Sequence, residues 1–161
     1  MNTNKSNNKS GLLVQNQHFL NESSLEEYSI ACEAFARISF VNCNFEGIEV
    51  IGNVFTSCSF QNCRFNQFCT RKVKFSSCHF EDCKITNSDM TRAQFYDTHF
   101  KNCEFLGVDL SASDFYGCKL KSTRFFKSNL YCILVEDVKV WESKEWVEIK
   151  NFSSLEKHLD E

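Results

Sequence analysis

No apolar run in this chain approaches the roughly 20 residues needed to cross a bilayer as a helix, and no apolar core of the signal-peptide kind follows its start. A membrane span and a secretion signal are therefore not expected, and the chain is read as cytoplasmic. The sequence also lacks a glycine-rich phosphate loop, a paired-carboxylate site and a nucleophile with a positioned base. Catalysis is not expected, and neither a cofactor nor a metal is called for. What is lacking is an excess of either sign of charge: 18 basic and 21 acidic side chains leave a net value of −3. Residues 31–130 carry 10 acidic and 12 basic side chains and residues 131–161 carry 8 and 4, so the acidity lies in the tail. A nearly neutral body gives no basis for a nucleic-acid or membrane partner. Residues 1–10 are mostly Asn, Lys and Ser with little to bury, and disorder is expected there.

What is present is a period. At 161 residues with 42% apolar and 14% aromatic content, the chain has one domain's worth of core. Of its 17 phenylalanines, 13 fall in a single five-residue register between Ala31 and Leu130. Five matches neither the 3.6 residues of a helical turn nor the alternation of an uninterrupted strand. It is met by about three residues of strand and two of turn, repeated, with each turn redirecting the chain. Side chains two apart share a strand face, so the residue two before each central position also points inward. That inner row holds Cys43, Cys58, Cys63, Cys78, Cys83, Cys103 and Cys118, which accounts for seven of the ten cysteines as small buried hydrophobes rather than disulfides.

Columns decide the number of sides. A repeat of twenty residues aligns Phe35, Phe55, Phe75, Phe95 and Phe115 in one column. Phe40, Phe60, Phe80 and Phe100 fall in a second. The non-phenylalanine centres Val50, Thr70, Met90, Leu110 and Leu130 form another, and Cys43, Cys63, Cys83 and Cys103 line up with Thr123. A fifteen-residue period scrambles these columns. Four sides therefore close a coil, and five coils stack with a rise of about 4.8 Å each. Units such as Cys58-Ser59-Phe60, Cys78-His79-Phe80 and Cys103-Glu104-Phe105 resemble those of the pentapeptide-repeat family. That resemblance covers about 100 of the 161 residues. It implies an all-β, right-handed, four-sided β-helix, and a function class running from inhibitors of type II topoisomerases to proteins with no established role.

Domain boundaries follow from where the period fades. Residues 11–30 keep it weakly, as either an irregular first coil or, from the capping box Ser23 to Glu26, a short capping helix. The β-helix proper spans 31–135. Residues 136–161 form a C-terminal cap, read as strands Val138–Trp141 and Trp146–Ile149 around a polar turn and a helix opened by a Ser153–Glu156 capping box. Glu33 and Asn53 are polar at inner positions. Phe68-Cys69-Thr70 reverses the usual sizes, either as a volume-conserving swap or as a bulge. His79 and His99 stack one coil apart. Asn42, Asn62, Asp82 and Asn102 stack at a turn position where their side chains can bond nearby backbone. Cys32, Cys69 and Cys132 point outward as the accessible thiols.

Tyr96, Tyr116, Leu106, Phe126 and Tyr131 share the outward position after each centre and form a candidate contact surface, unless the tail with Trp141 and Trp146 covers part of it. The leading functional reading is a rigid, non-catalytic scaffold that binds another protein. One alternative is a DNA mimic that binds a type II topoisomerase, through the column Glu49, Asp89 and Asp109. Another is a thiol redox sensor. DNA-mimic relatives commonly dimerise end to end, but a tail covering the last coil predicts a monomer.

Overall fold

The computed structural model describes residues 12–15, 18–20 and 32–156. Each five-residue step runs three residues in extended conformation and then turns. Every fifth residue from Arg37 to Asp137 has a positive φ, between 47° and 73°. Eleven of these twenty-one turn positions are Gly, Asn or Asp, the residues that enter the left-handed region most readily. At the others the conformation is held by the coil below: the Lys72 amide donates to the Thr91 carbonyl at 3.1 Å and that of Arg92 to Ser111 at 2.9 Å.

Bonds between residues about twenty apart stack the coils into parallel sheets. The first contains Leu12–Gln15, Cys32–Ala36, Val54–Thr56, Lys74–Ser76, Gln94–Tyr96, Asp114–Tyr116 and Leu134–Glu136. The second runs from His18–Leu20 through Ser39–Val41, Ser59–Gln61, His79–Glu81, His99–Lys101 and Lys119–Lys121 to Val138–Glu142. The third contains Asn44–Glu46, Arg64–Asn66, Lys84–Thr86, Glu104–Leu106 and Arg124–Phe126. The fourth side is reduced to single-residue bridges along Glu49, Cys69, Asp89, Asp109 and Asn129. There the chain turns sooner. The amides of Asn53, Val73, Ala93, Ser113 and Ile133 each donate to the carbonyl three residues earlier, that of the fourth-side centre. The side closes as a row of β-turns.

The core is the set of columns. Phe35, Phe55, Phe75, Phe95 and Phe115 stack face to face with ring centroids 4.5 to 5.3 Å apart. Phe40, Phe60, Phe80 and Phe100 do the same at 4.5 to 5.1 Å. This spacing equals the rise of a coil, so backbone pairing and ring stacking are satisfied together. Rings of adjacent columns meet edge to face, as Phe75 and Phe80 do at 5.4 Å. Both geometries suit the aromatic quadrupole.

At the N-terminal end the first sheet shifts register between Leu12 and Leu13, and Phe19 stacks on Phe40 at 5.2 Å. Thus 12–15 and 18–20 are strands, while the Ser23–Glu26 capping box lies outside the described residues, as do the side chains of Cys32 and Glu33. At the other end the last strand of the second sheet folds back. Val138–Glu142 pairs antiparallel with Glu145–Ile149 across Ser143 and Lys144, both at positive φ, the two-residue geometry that hairpins favour. Val138, Ile149 and Leu155 are buried with Ile133 and Val135 at this end. The final helix, Phe152–Glu156, begins earlier than the expected Ser153–Glu156 box implies. Asn151 is its cap, its Oδ1 accepting the Ser154 amide at 2.9 Å, and it satisfies an amide that has no partner within the helix. Leu159 lies outside the described residues.

Candidate interaction surfaces

The inward thiols are packing groups with a consistent bond. Cys63 Sγ lies 3.5 Å from the Phe40 carbonyl and 3.4 Å from that of Gln61, and Cys83 and Cys103 repeat this one and two coils on. Thr98 fills the same role in the Cys58, Cys78 and Cys118 column through its hydroxyl, so small size and a donor are what the position selects. Cys43, Cys63, Cys83 and Cys103 are all at most 2% exposed. Burial pushes the Cys118 thiol up to about 12. Contact with Cys58 and then burial push Cys78 higher still. All nine described cysteines are free; Cys69 is half-buried and Cys132 exposed.

The reversed unit is a swap, not a bulge. Cys69 pairs in register with Glu49 and Asp89. The Phe68 ring enters the core beside Phe45 and Phe65, at 5.7 and 5.1 Å. Thr70 in the central position is fully buried, and its hydroxyl finds no hydrogen-bond partner among the described residues. Asn53 is half-buried at its corner.

The aromatic residues expected to form one patch are divided. Tyr96 pairs with Tyr116 at the corner following the first side. Leu106 pairs with Phe126 at the corner following the third. In a four-sided coil these corners are diagonally opposite, and Tyr131 stands at a further corner after the fourth side. The tail does not cover them. Tyr116, Phe126 and Tyr131 are 39%, 59% and 75% exposed, while Trp141 and Trp146 lie on the outer face of the second sheet, in contact at 5.2 Å. Strand alternation is the reason: with Val138 buried inward, Trp141 three residues on must point out.

The acidic column on the fourth side is occupied by its own turns. Asp89 and Asp109 accept the amides of Thr91 and Ser111 at 3.0 and 2.9 Å, Asn129 does the same for Tyr131, and Arg71 pairs with Asp89 at 3.5 Å. The Asn and Asp residues of the corner after the second side bond one another along the axis: Asn62 donates to Asn42 at 2.8 Å and Asn102 to Asp82 at 3.0 Å.

His79 and His99 meet edge to face at 4.8 Å on the second sheet. Burial, then the neighbouring His79 and Lys119 charges, lower the pKa of His99. Among the described residues no cluster of three or more metal-ligating side chains forms. Beside His99 on its own strand the second sheet carries Lys101, and on the following strands Lys119, Lys121 and Lys139, which the five-residue period does not single out. The signal was present as basic residues spaced by twenty. Between the hairpin and the last strand of the third sheet lies an open groove of about 480 Å³, lined by Asn102, Glu104, Thr123, Arg124 and Trp141 among others. No helix among the described residues is long and apolar enough to cross a membrane.

This architecture defines the class: a right-handed, four-sided β-solenoid of five-residue units. Residues 53–131, close to half of the chain, match the family described as a pentapeptide repeat region, and that stretch is a run of pentapeptide repeats. Among solved structures it is similar to trypsin-treated QnrB1, a plasmid-mediated fluoroquinolone resistance protein, with 17% identity and a TM-score of 0.55 over 78% of this chain and 70% of that one. It is also similar to Rfr23, a pentapeptide-repeat protein of the cyanobacterium Cyanothece 51142, with 10% identity and a TM-score of 0.46 over 83% of each chain. No curated protein matches it in sequence.

Proposed function

We propose that this protein is a non-catalytic scaffold that acts by binding another protein through the outward side chains of its coils. The observation carrying this reading is the division of labour in each unit. The central and second-preceding side chains are committed to a filled core from Phe35 to Phe125, and the second residue after each centre is committed to the left-handed turn. Only the remaining outward side chains are free to vary without cost to the fold, and they present flat, rigid surfaces. The thiols of the core are inaccessible, which disfavours redox sensing. The carboxylates of the fourth side are held in turns, which disfavours mimicry of a phosphate rail with about one charge per 1.7 Å.

The test is affinity capture from the native organism with the full chain as bait, followed by reconstitution with the purified candidate. A saturable complex of fixed stoichiometry is expected in sedimentation analysis. Turnover of a small molecule by the purified chain, or the lack of any reconstituted complex, overturns the reading.

A further inference from the structure

The second sheet changes character along its length. Its outward positions are Ser39, Val41, Ser59 and Gln61 in the N-terminal coils. Further along, one column becomes His79, His99, Lys119 and Lys139, and the other gains Lys101 and Lys121. Pairing in register puts Lys119 between His99 and Lys139, and Lys121 directly beside Lys101. Like charges directly opposite one another on neighbouring strands are destabilising. The fold does not require them, since Ser59 and Gln61 hold the same positions three coils before Lys119 and Lys121. Glu81 is ion-paired with Lys101, and Glu148 stands opposite Lys139 in the hairpin. Lys119 and Lys121 have no carboxylate partner among the described residues. Their ammonium groups lie instead over Trp146 and Trp141, 5.7 and 4.5 Å from the ring centroids. A stack of repelling cations on a flat, accessible face is relieved when an anion binds to it.

We propose that this lysine strip is a docking surface for an acidic helix of a partner protein, an inference that rests on the scaffold reading above. Three features select that occupant. The lysines occupy three successive coils, two coil rises or roughly 10 Å from end to end, which suits a short acidic segment. A nucleic-acid strand would continue its charge past the patch onto Glu142, Glu145 and Glu148 of the hairpin. The lysine rows repeat at the coil rise of about 4.8 Å, close to the 5–6 Å between side chains at i and i+3 or i+4 on a helix. Alternate residues of an extended strand, about 6.6 Å apart, fall out of step with the rows.

Both tryptophans of the chain stand on the strip, so their fluorescence reports its occupancy. The full chain is titrated at low salt with a helical peptide bearing Glu at i and i+4 positions. Its Glu-to-Gln counterpart and a single-stranded oligonucleotide of equal charge serve as comparators. A saturable change in emission is expected with the Glu peptide, weakening as salt is added. Affinity should fall at least about tenfold for the Gln peptide and for the double variant Lys119→Gln, Lys121→Gln. The variant Lys74→Gln, which removes a lysine from the first sheet, should bind like the parent. If circular dichroism shows that the double variant does not fold, Lys139→Gln replaces it. The absence of binding, equal binding by the double variant, equal weakening by Lys74→Gln, or tighter binding of the oligonucleotide each overturns the proposal. A reconstituted partner that binds the double variant as well as the parent removes this surface while leaving the scaffold reading intact.

Discussion

Thr70 is the residue whose chemistry least suits its place. Its neighbours in the same column are Val50 and Met90, both buried, and a buried hydroxyl without a partner costs about 1–3 kcal/mol. Thr70→Val keeps the shape and removes the orphan oxygen, so it should stabilise the fold by about 1 kcal/mol, read as a raised urea midpoint at unchanged slope. Phe68 supplies the volume that Thr70 lacks. Phe68→Ala should cost about 3–5 kcal/mol, and Thr70→Leu in the same chain should restore part of it, because the ring and the small centre fill one space between them. The inward thiols offer a separate check at this scale. The seven inner-row cysteines are buried, and a buried thiol in apolar surroundings is slow to react. In a titration with a thiol reagent they should react only after denaturation, with Cys132 fast in the native state; seven or more fast native thiols would contradict the packed columns.

Among the elements, the C-terminal hairpin and helix have the largest effect for their length. Val138, Ile149 and Leu155 are each at most 2% exposed, and full burial of such side chains contributes roughly 1.5–3 kcal/mol apiece. Truncation after Cys132 should uncover Phe115 and Leu120 together with unpaired strand edges. Light scattering should then report dimers or aggregates where the full chain is monomeric; a full-length dimer that becomes monomeric on truncation would make the tail the interface. How far these elements were legible differs from one to the next. The phenylalanine columns could be read because a side chain of that volume has one place to go, and the hairpin because Val138 and Val140 alternate with polar residues. The division of Tyr96 and Tyr116 from Leu106 and Phe126 was hidden, since outward residues carry no packing signal. Only their separation by ten, half a coil, distinguishes one corner from its opposite. The side on which Trp141 lands depends on the hairpin prolonging the second sheet rather than crossing the end of the coil, and that follows from tertiary pairing with Lys119–Lys121.

For the molecule as a whole, the fourth side is the surface that separates scaffold from DNA mimic. Its carboxylates at Asp89 and Asp109 are spent on turn amides, and Cys69 and Asn129 interrupt the column. Supercoiling by a type II topoisomerase should therefore proceed unhindered at low micromolar concentrations of this protein. Inhibition that disappears with Asp89→Lys and Asp109→Lys would reverse that conclusion.

The constant offset of twenty between paired residues, kept from Ala34 to Val140, makes the length of this protein a quantised variable. Copying any twenty-residue window of the body in tandem adds one full storey, with every ring and every amide meeting a residue of its own column. Copying five residues instead turns everything downstream through a quarter revolution and sets the phenylalanine side of one half above the turn side of the other. Genetic drift in size is thus confined to whole storeys, while drift in surface character proceeds one outward residue at a time.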